Sequence, residues 1–248
     1  MKSYYDAHES AYKSLKSQGC LSWDRKKSLE EFQDDERVAY FEKTLPALFA
    51  DPTSKKALDL GCGTGTTAFF LAQRGFQVTG VDVSETAIAM AKDLAQQQNL
   101  KVEFIQGDAL ELEGLRQKFD LIYDSRCLHC IVLDEDRRRA YQSVRGSLTD
   151  EGFFLLDTST FQEGWDPTAP YPTLRFDENF ILWHKTSPSS ARGVVEIEGQ
   201  HWCAQRRFYP LERILQEIHE AGFQVVSQIH DRQNPGEGGL LRMVLRPH

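Results

Sequence analysis

Three acids, a glycine turn and one histidine-bearing loop hold the residues of this chain whose types and spacing suit chemistry. Asp59, Gly61, Gly63 and Gly65 alternate along the stretch that follows a short apolar run at Ala57 and Leu58 and passes through Leu60. A run of that length suits a buried strand. A glycine-rich turn between strand and helix brings backbone N–H groups and a helix N-terminus up to a ligand, because a Cβ would block the approach. The next apolar run, Phe76 to Ser84, carries Asp82 near its end. A carboxylate there can accept hydrogen bonds from both hydroxyls of a ribose. A third stretch, Val102 to Ala109, places Asp108 just past the end of a strand. Further along, Asp124-Ser125-Arg126-Cys127-Leu128-His129-Cys130 gathers a carboxylate, a guanidinium, two thiols and an imidazole. His129 is the candidate general base, since an unperturbed imidazole titrates near neutrality. Asp124 is the second catalytic candidate, and Arg126 is a candidate for holding an anionic group, that of a substrate or the carboxylate of an amino-acid-bearing cofactor.

Which ligand the turn serves depends on its register. Counted from Gly61, the dinucleotide pattern G-x-G-x-x-G fails at Thr66; counted from Gly63 it is met loosely through Gly65 and Ala68, but too late after the strand. The pattern D-x-G-x-G-x-G, here Asp59, Gly61, Gly63 and Gly65, resembles that of class I S-adenosylmethionine (SAM)-dependent methyltransferases. The runs around Asp82 and Asp108, then Lys118 to Asp124 and Gly152 to Asp157, resemble the family's second to fifth strands in order. The resemblance covers roughly residues 50 to 160, with a weaker tail near the C-terminus. It implies a doubly wound, mostly parallel, seven-stranded Rossmann-like α/β sheet, with SAM as cofactor and S-adenosylhomocysteine as its product. It also implies cofactor contacts at Asp59, Gly61, Cys62, Gly63, Gly65, Asp82, Val83, Asp108, Ala109 and Asp124, with Asp108 accepting from the adenine amino group. The loop at Leu128-His129-Cys130 would then lie beside the methyl group. A small-molecule acceptor is expected. The alternatives are a SAM-binding protein of other chemistry and an NAD-dependent oxidoreductase.

The elements that must position these residues follow from periodicity. Residues 1–50 read as a helical segment, with Leu29, Phe32, Val38, Phe41, Leu45 and Leu48 at helix-compatible intervals. Its opening, Tyr4 to Tyr12, resembles the aromatic lid of many small-molecule methyltransferases, which makes Tyr5 and Tyr12 substrate-side candidates. Residues 51–248 form the expected SAM-binding domain. Helices are expected at Thr66 to Arg74, Ser84 to Gln98, Asp134 to Leu148 and Leu211 to Ala221. The strand–helix rhythm breaks after Asp157. An antiparallel insertion is expected over about 158–209, with strands at Asn179 to Lys185 and Gly193 to Tyr209. Its aromatic residues, Trp183 and Trp202 among them, are candidate walls for an apolar or planar substrate. Two strands close the chain around Asn234-Pro235-Gly236-Glu237-Gly238-Gly239.

Composition narrows the rest. The chain has 248 residues, a formal net charge of −8 and a pI near 5.4, which argues against a nucleic-acid partner. Arg137-Arg138-Arg139 follows Asp134-Glu135-Asp136 and reads as a solvated, charge-balanced helix face. No run approaches the ~20 apolar residues of a membrane span. Five cysteines and no secretory signal point to a reducing cytoplasm. Cys127 and Cys130 lack a second pair at zinc-site spacing, so no metal is expected. A monomer or homodimer is expected.

Overall fold

The computed structural model describes residues 3–23, 25–26, 36–166, 168, 171–190, 192–231 and 238–248. The helical pattern at Leu29 and Phe32 and most of the turn at 234–239 lie outside the described residues. Two helices open the chain, α1 (Ser3–Ser17) and α2 (Glu36–Leu48). Strand and helix then alternate: β1 (Lys56–Leu60), α3 (Thr66–Gln73), β2 (Gln77–Asp82), α4 (Glu85–Gln97), β3 (Val102–Gln106), β4 (Phe119–Ser125), α5 (Asp134–Ser147) and β5 (Leu148–Thr160). The insertion supplies β6 (Leu174–Phe176), β7 (Ile181–Thr186), β8 (Val194–Ile197) and β9 (Gln200–Arg207). The chain closes with α6 (Leu211–Glu220), β10 (Phe223–Asp231) and β11 (Gly239–Pro247).

The main sheet has the order β10-β11-β5-β4-β1-β2-β3. Neighbours β3, β2, β1, β4 and β5 pair in parallel, while β11 runs antiparallel between β5 and β10. Parallel strands need crossovers, and helices supply them on both faces. This explains why the central strands read as continuous apolar runs: Ala57, Leu58 and Leu60 of β1 and Leu121, Ile122 and Tyr123 of β4 are fully buried. One core cluster packs Leu58, Ile122, Phe154 and Met243 against Val144 and Ile218, and the other packs Phe41, Ala68, Leu71 and Ala91 against Leu121 and Leu155. The strand order turns back between β1 and β4, the place where open α/β sheets bind ligands at their C-terminal edge.

The insertion forms its own antiparallel sheet of order β6-β7-β9-β8. The expected second strand is two strands, because Glu198 and Gly199 adopt φ 53° and 71° and reverse the chain between β8 and β9. β5 also runs on to Thr160, held by pairing with β11. The reading of Arg137-Arg138-Arg139 as a solvated face needs correction at Arg137, which is buried. Three consecutive residues sweep most of a helix's circumference, so one of them must face inward.

Candidate active site

The β1–α3 turn is built around positive backbone angles. Gly63 has φ 53°, and a Cβ there would overlap the Tyr12 hydroxyl of α1. At Gly61, φ 69°, a Cβ would stand 2.6 Å from Cys127 Cβ. The turn is tied to the neighbouring strand by Asp82: Oδ2 accepts from Gly63 N at 2.9 Å and Oδ1 from Ser84 N at 2.8 Å. Burial raises the Asp82 pKa, and the Ser84 and Gly63 amides oppose that rise. Asp59 acts differently. It is fully buried, and its Oδ2 accepts from Ala68 N at 2.9 Å, fixing the start of α3. Oδ1 of Asp59 is buried without a hydrogen-bond partner, and burial pushes the carboxyl up to about 7.

A cavity of about 370 Å³ opens above the C-terminal ends of β1, β2 and β4. Leu60, Gly61, Cys62, Gly63, Val81, Asp82, Val83, Asp108 and Ala109 line one end. Arg126, Cys127, His129, Cys130, Arg206 and Phe208 line the other. Tyr5, His8 and Tyr12 of α1, with Trp23 and Arg37, complete the wall. Of the residues singled out in the sequence, Asp59, Gly65, Asp124, Trp183 and Trp202 do not line this cavity.

Asp124 requires a correction of role. It is fully buried, and its two oxygens accept from Cys127 N at 3.0 Å and Leu128 N at 2.8 Å. Burial pushes it up to about 7 against those two amides. The carboxylate shapes the loop that carries His129 and does not face the cavity. The two tryptophans are also placed elsewhere. Trp183 Nε1 donates to Asp177 Oδ2 at 2.8 Å, and its ring packs with Val132, Ile181 and Ala204 in a small core that Trp202 flanks. The insertion reaches the cavity through Arg206 and Phe208 instead.

His129 is 7% exposed, and its Nδ1 has no hydrogen-bond partner. Burial holds its pKa well below the usual 6.5, with Arg206, Arg126, Arg137 and His8 adding to the effect. Its ring meets Phe208 edge-on, 5.8 Å between centroids. Beneath it, Arg137 Nη1 donates to the carbonyls of Leu128 at 2.6 Å and Ile131 at 3.0 Å, while Nε and Nη2 grip Glu217 at 2.7 and 2.6 Å. That bidentate ion pair fixes the guanidinium that binds the two carbonyls of the His129 loop. Nothing local in the sequence marks Arg137 for this task.

Helix α1 is docked by polar contacts. Glu9 of α1 accepts from Ser84 Oγ at 2.7 Å, Thr86 Oγ1 at 2.6 Å and Thr86 N at 3.1 Å. A carboxylate at the N-terminus of α4 is favoured by the helix dipole. Although burial opposes it, the Thr86 and Ser84 hydrogen bonds hold Glu9 at about 2. The Tyr5 hydroxyl donates to Asp108 Oδ2, while Asp108 Oδ1 caps Leu110 N at 3.0 Å. His8, beside Trp23 at 5.6 Å, is lowered to about 4 by burial and by Arg206. His8, Trp23 and Arg37 were not singled out in the sequence as site residues. Only the amphipathic spacing around His8 carries a signal, and it does not say what the helix covers.

Comparison with known proteins agrees with this geometry. A family model described as a methyltransferase domain matches residues 57–152. A putative methyltransferase of Geobacillus sp. (strain WCH70) is 38% identical over 113 residues, 44% of each chain. The 2-heptyl-1-hydroxyquinolin-4(1H)-one methyltransferase of Mycobacteroides abscessus is 33% identical over 158 residues, 60% of this chain and 68% of that protein. In fold, the chain is similar to the Burkholderia thailandensis 1,6-didemethyltoxoflavin-N1-methyltransferase, with TM-score 0.62, 20% identity, and 98% and 89% of the two chains covered. The chain belongs to the class I SAM-dependent methyltransferase family.

The residues present fit the family's cofactor, SAM. Asp82 spends one lone pair of each oxygen on a backbone amide, and a carboxylate oxygen has a second to offer a ribose diol. The space in front of Gly61 and Gly63 is one that side chains would fill. Leu60, Val81 and Ala109 give the same end an apolar lining.

Proposed function

We propose that this protein transfers the methyl group of SAM to a small-molecule acceptor by in-line displacement. The observation that carries this reading is the single cavity that joins the Gly61–Gly63 turn, Asp82 and Asp108 to the His129, Arg126 and Phe208 wall. When bound, SAM supplies a methyl group already activated on a sulfonium. The chain's own residues then align the acceptor and exclude water. Asp82 and the glycine turn hold the ribose side, with Val83, Asp108 and Ala109 beside the base. α1 closes over the top, with Tyr5 and Tyr12 facing the cavity. His129 takes the proton of a hydroxyl, thiol or amine acceptor; its depressed pKa keeps it neutral and able to do so near neutral pH. Asp124 and Arg137 hold the His129 loop in place.

The small-molecule reading is supported by the covering of α1 over the sheet edge and by the net charge of −8, which disfavours nucleic acid. It is also supported by the planar heteroaromatic compounds that the Mycobacteroides and Burkholderia proteins are named for. No helix among the described residues is long and apolar enough to cross a membrane. Five free thiols suit the cytoplasm as the place of action.

Calorimetric titration with SAM, S-adenosylhomocysteine and NAD tests the reading at its root. Binding of both sulfur compounds, weakened in Asp82→Ala, is the expected result. Binding of NAD alone would overturn it. Tight SAM binding with no transfer to any acceptor would point to another chemistry on the same site.

A further inference from the structure

Resting on the methyltransferase reading, we infer that the acceptor is a planar organic acid, whose carboxylate is held by Arg206 and Arg126 while its body lies against Trp23 and Phe208. The charge around the cavity is divided. Asp82 and Asp108 stand at the ends of β2 and β3, on one side of β1; Arg126 follows β4 on the other side, and Arg206 of β9 lines the same cavity. The carboxylates are already engaged, by Gly63 and Ser84 at Asp82 and by Tyr5 and Leu110 at Asp108. The arginines are not matched in the same way. Among the described residues, Arg206 has no carboxylate partner; its polar contact is with the Cys130 thiol, and its guanidinium lies 5.8 Å from the Trp23 ring. Arg126 touches Asp157 Oδ1 only through Nε, at 3.4 Å, which leaves the Nη edge of its fork uncommitted.

Arg126 is an exposed side chain, anchored to Asp157 by its backbone amide and by one Nε contact. Asp157 is fully buried, also accepts from Arg242 Nε at 2.9 Å and Tyr123 Oη at 3.3 Å, and takes the Arg126 amide on its carbonyl at 3.0 Å. Arg126 itself sits at φ 61°, in the left-handed region that few residues other than glycine adopt. Arg126 and Arg206 bring two guanidinium groups to the wall of this cavity inside a chain of net charge −8, and the planar fork of a guanidinium matches a carboxylate. His129 Nδ1, buried with no partner, adds a second polar point in the same wall. The histidines do not compete for the anion as cations, since burial lowers both His8 and His129.

The test is titration of the S-adenosylhomocysteine-loaded protein with matched acids and amides: 2-hydroxybenzoate against 2-hydroxybenzamide, and indole-3-acetate against indole-3-acetamide. At least one acid should bind about 10- to 100-fold more tightly than its amide, by a margin that shrinks as salt is added. Arg206→Gln should remove the margin, and Arg126→Gln should reduce it. S-adenosylhomocysteine titration of each variant reports whether its fold is intact. Equal binding of acid and amide in both pairs, or a margin that survives in Arg206→Gln, would overturn the inference. Failure of S-adenosylhomocysteine to bind the wild-type protein would instead overturn the methyltransferase reading, and the acceptor assignment with it.

Discussion

Asp82 Oδ2 accepts the Gly63 amide at 2.9 Å, so one carboxylate ties the end of β2 to the turn after β1. The same carboxylate that faces the cavity therefore also sets the shape of the glycine turn beside it. Asp82→Ala should weaken SAM binding by about 2–4 kcal/mol, since hydrogen bonds to a charged group contribute about 1.5–3 kcal/mol each and are not additive. Asp82→Asn should fall between, because an amide oxygen can keep one of the two backbone contacts. Calorimetry checks both; an unchanged affinity in a folded Asp82→Ala protein would remove Asp82 from the cofactor site.

Gly63 meets α1 as well as the turn. Gly63→Ala should impair SAM binding by strain at φ 53° and by overlap with the Tyr12 hydroxyl. Gly63→Ala combined with Tyr12→Phe should recover part of the loss, because the overlapping oxygen is gone. A double variant no better than the single one would assign the whole effect to backbone strain.

The proposed base, His129, sets an expected pH dependence. The group must be neutral to accept a proton, and its pKa lies well below 6.5, so protonation at ordinary acidity is suppressed. The turnover rate should stay level through the range near 6.5 and fall only at lower pH, in contrast to an exposed histidine. His129→Ala should lower turnover by about 10²–10⁴-fold with little change in SAM affinity. A rate that falls already around 6.5 would show that His129 is not the titrating base.

Glu9 ties α1 to the N-terminus of α4. Its folded pKa, about 2, lies below the ordinary 4.5, so its stabilising contribution is complete above 4.5 and is lost as pH falls toward 2. Protection of the α1 amides, measured relative to the intrinsic exchange rate at each pH, should fall on acidification through that window. Glu9→Gln should show fast exchange in α1 at neutral pH, while the central strands β1 and β4 stay protected. Uniform exchange across the protein would contradict a local tie.

What could be read from the sequence was local. The strand–turn–helix at 57–73 and the repeated strand ends at Asp82 and Asp108 are written in short-range patterns of apolar residues and glycine. The family's strand order then follows from alternation. Contacts between distant segments were not legible. Arg137 belongs to a run that reads as solvated, and only its Glu217 partner, 80 residues away, shows why it turns inward. The aromatic residues of the insertion look like a substrate wall, yet Trp183 is consumed by its own sheet and its Asp177 hydrogen bond. Asp124 looks catalytic by its neighbours, but the tight loop after β4 needs its oxygens for two amides.

The most direct measurement is transfer of labelled methyl from SAM into a fractionated small-molecule extract, followed for wild-type protein and for Asp82→Ala. The account predicts label in a low-mass acceptor, with an equal amount of S-adenosylhomocysteine released, and strong reduction of both in the variant. Label that remains in SAM while the wild-type protein binds it tightly, or label that enters only macromolecules, would contradict the central claim.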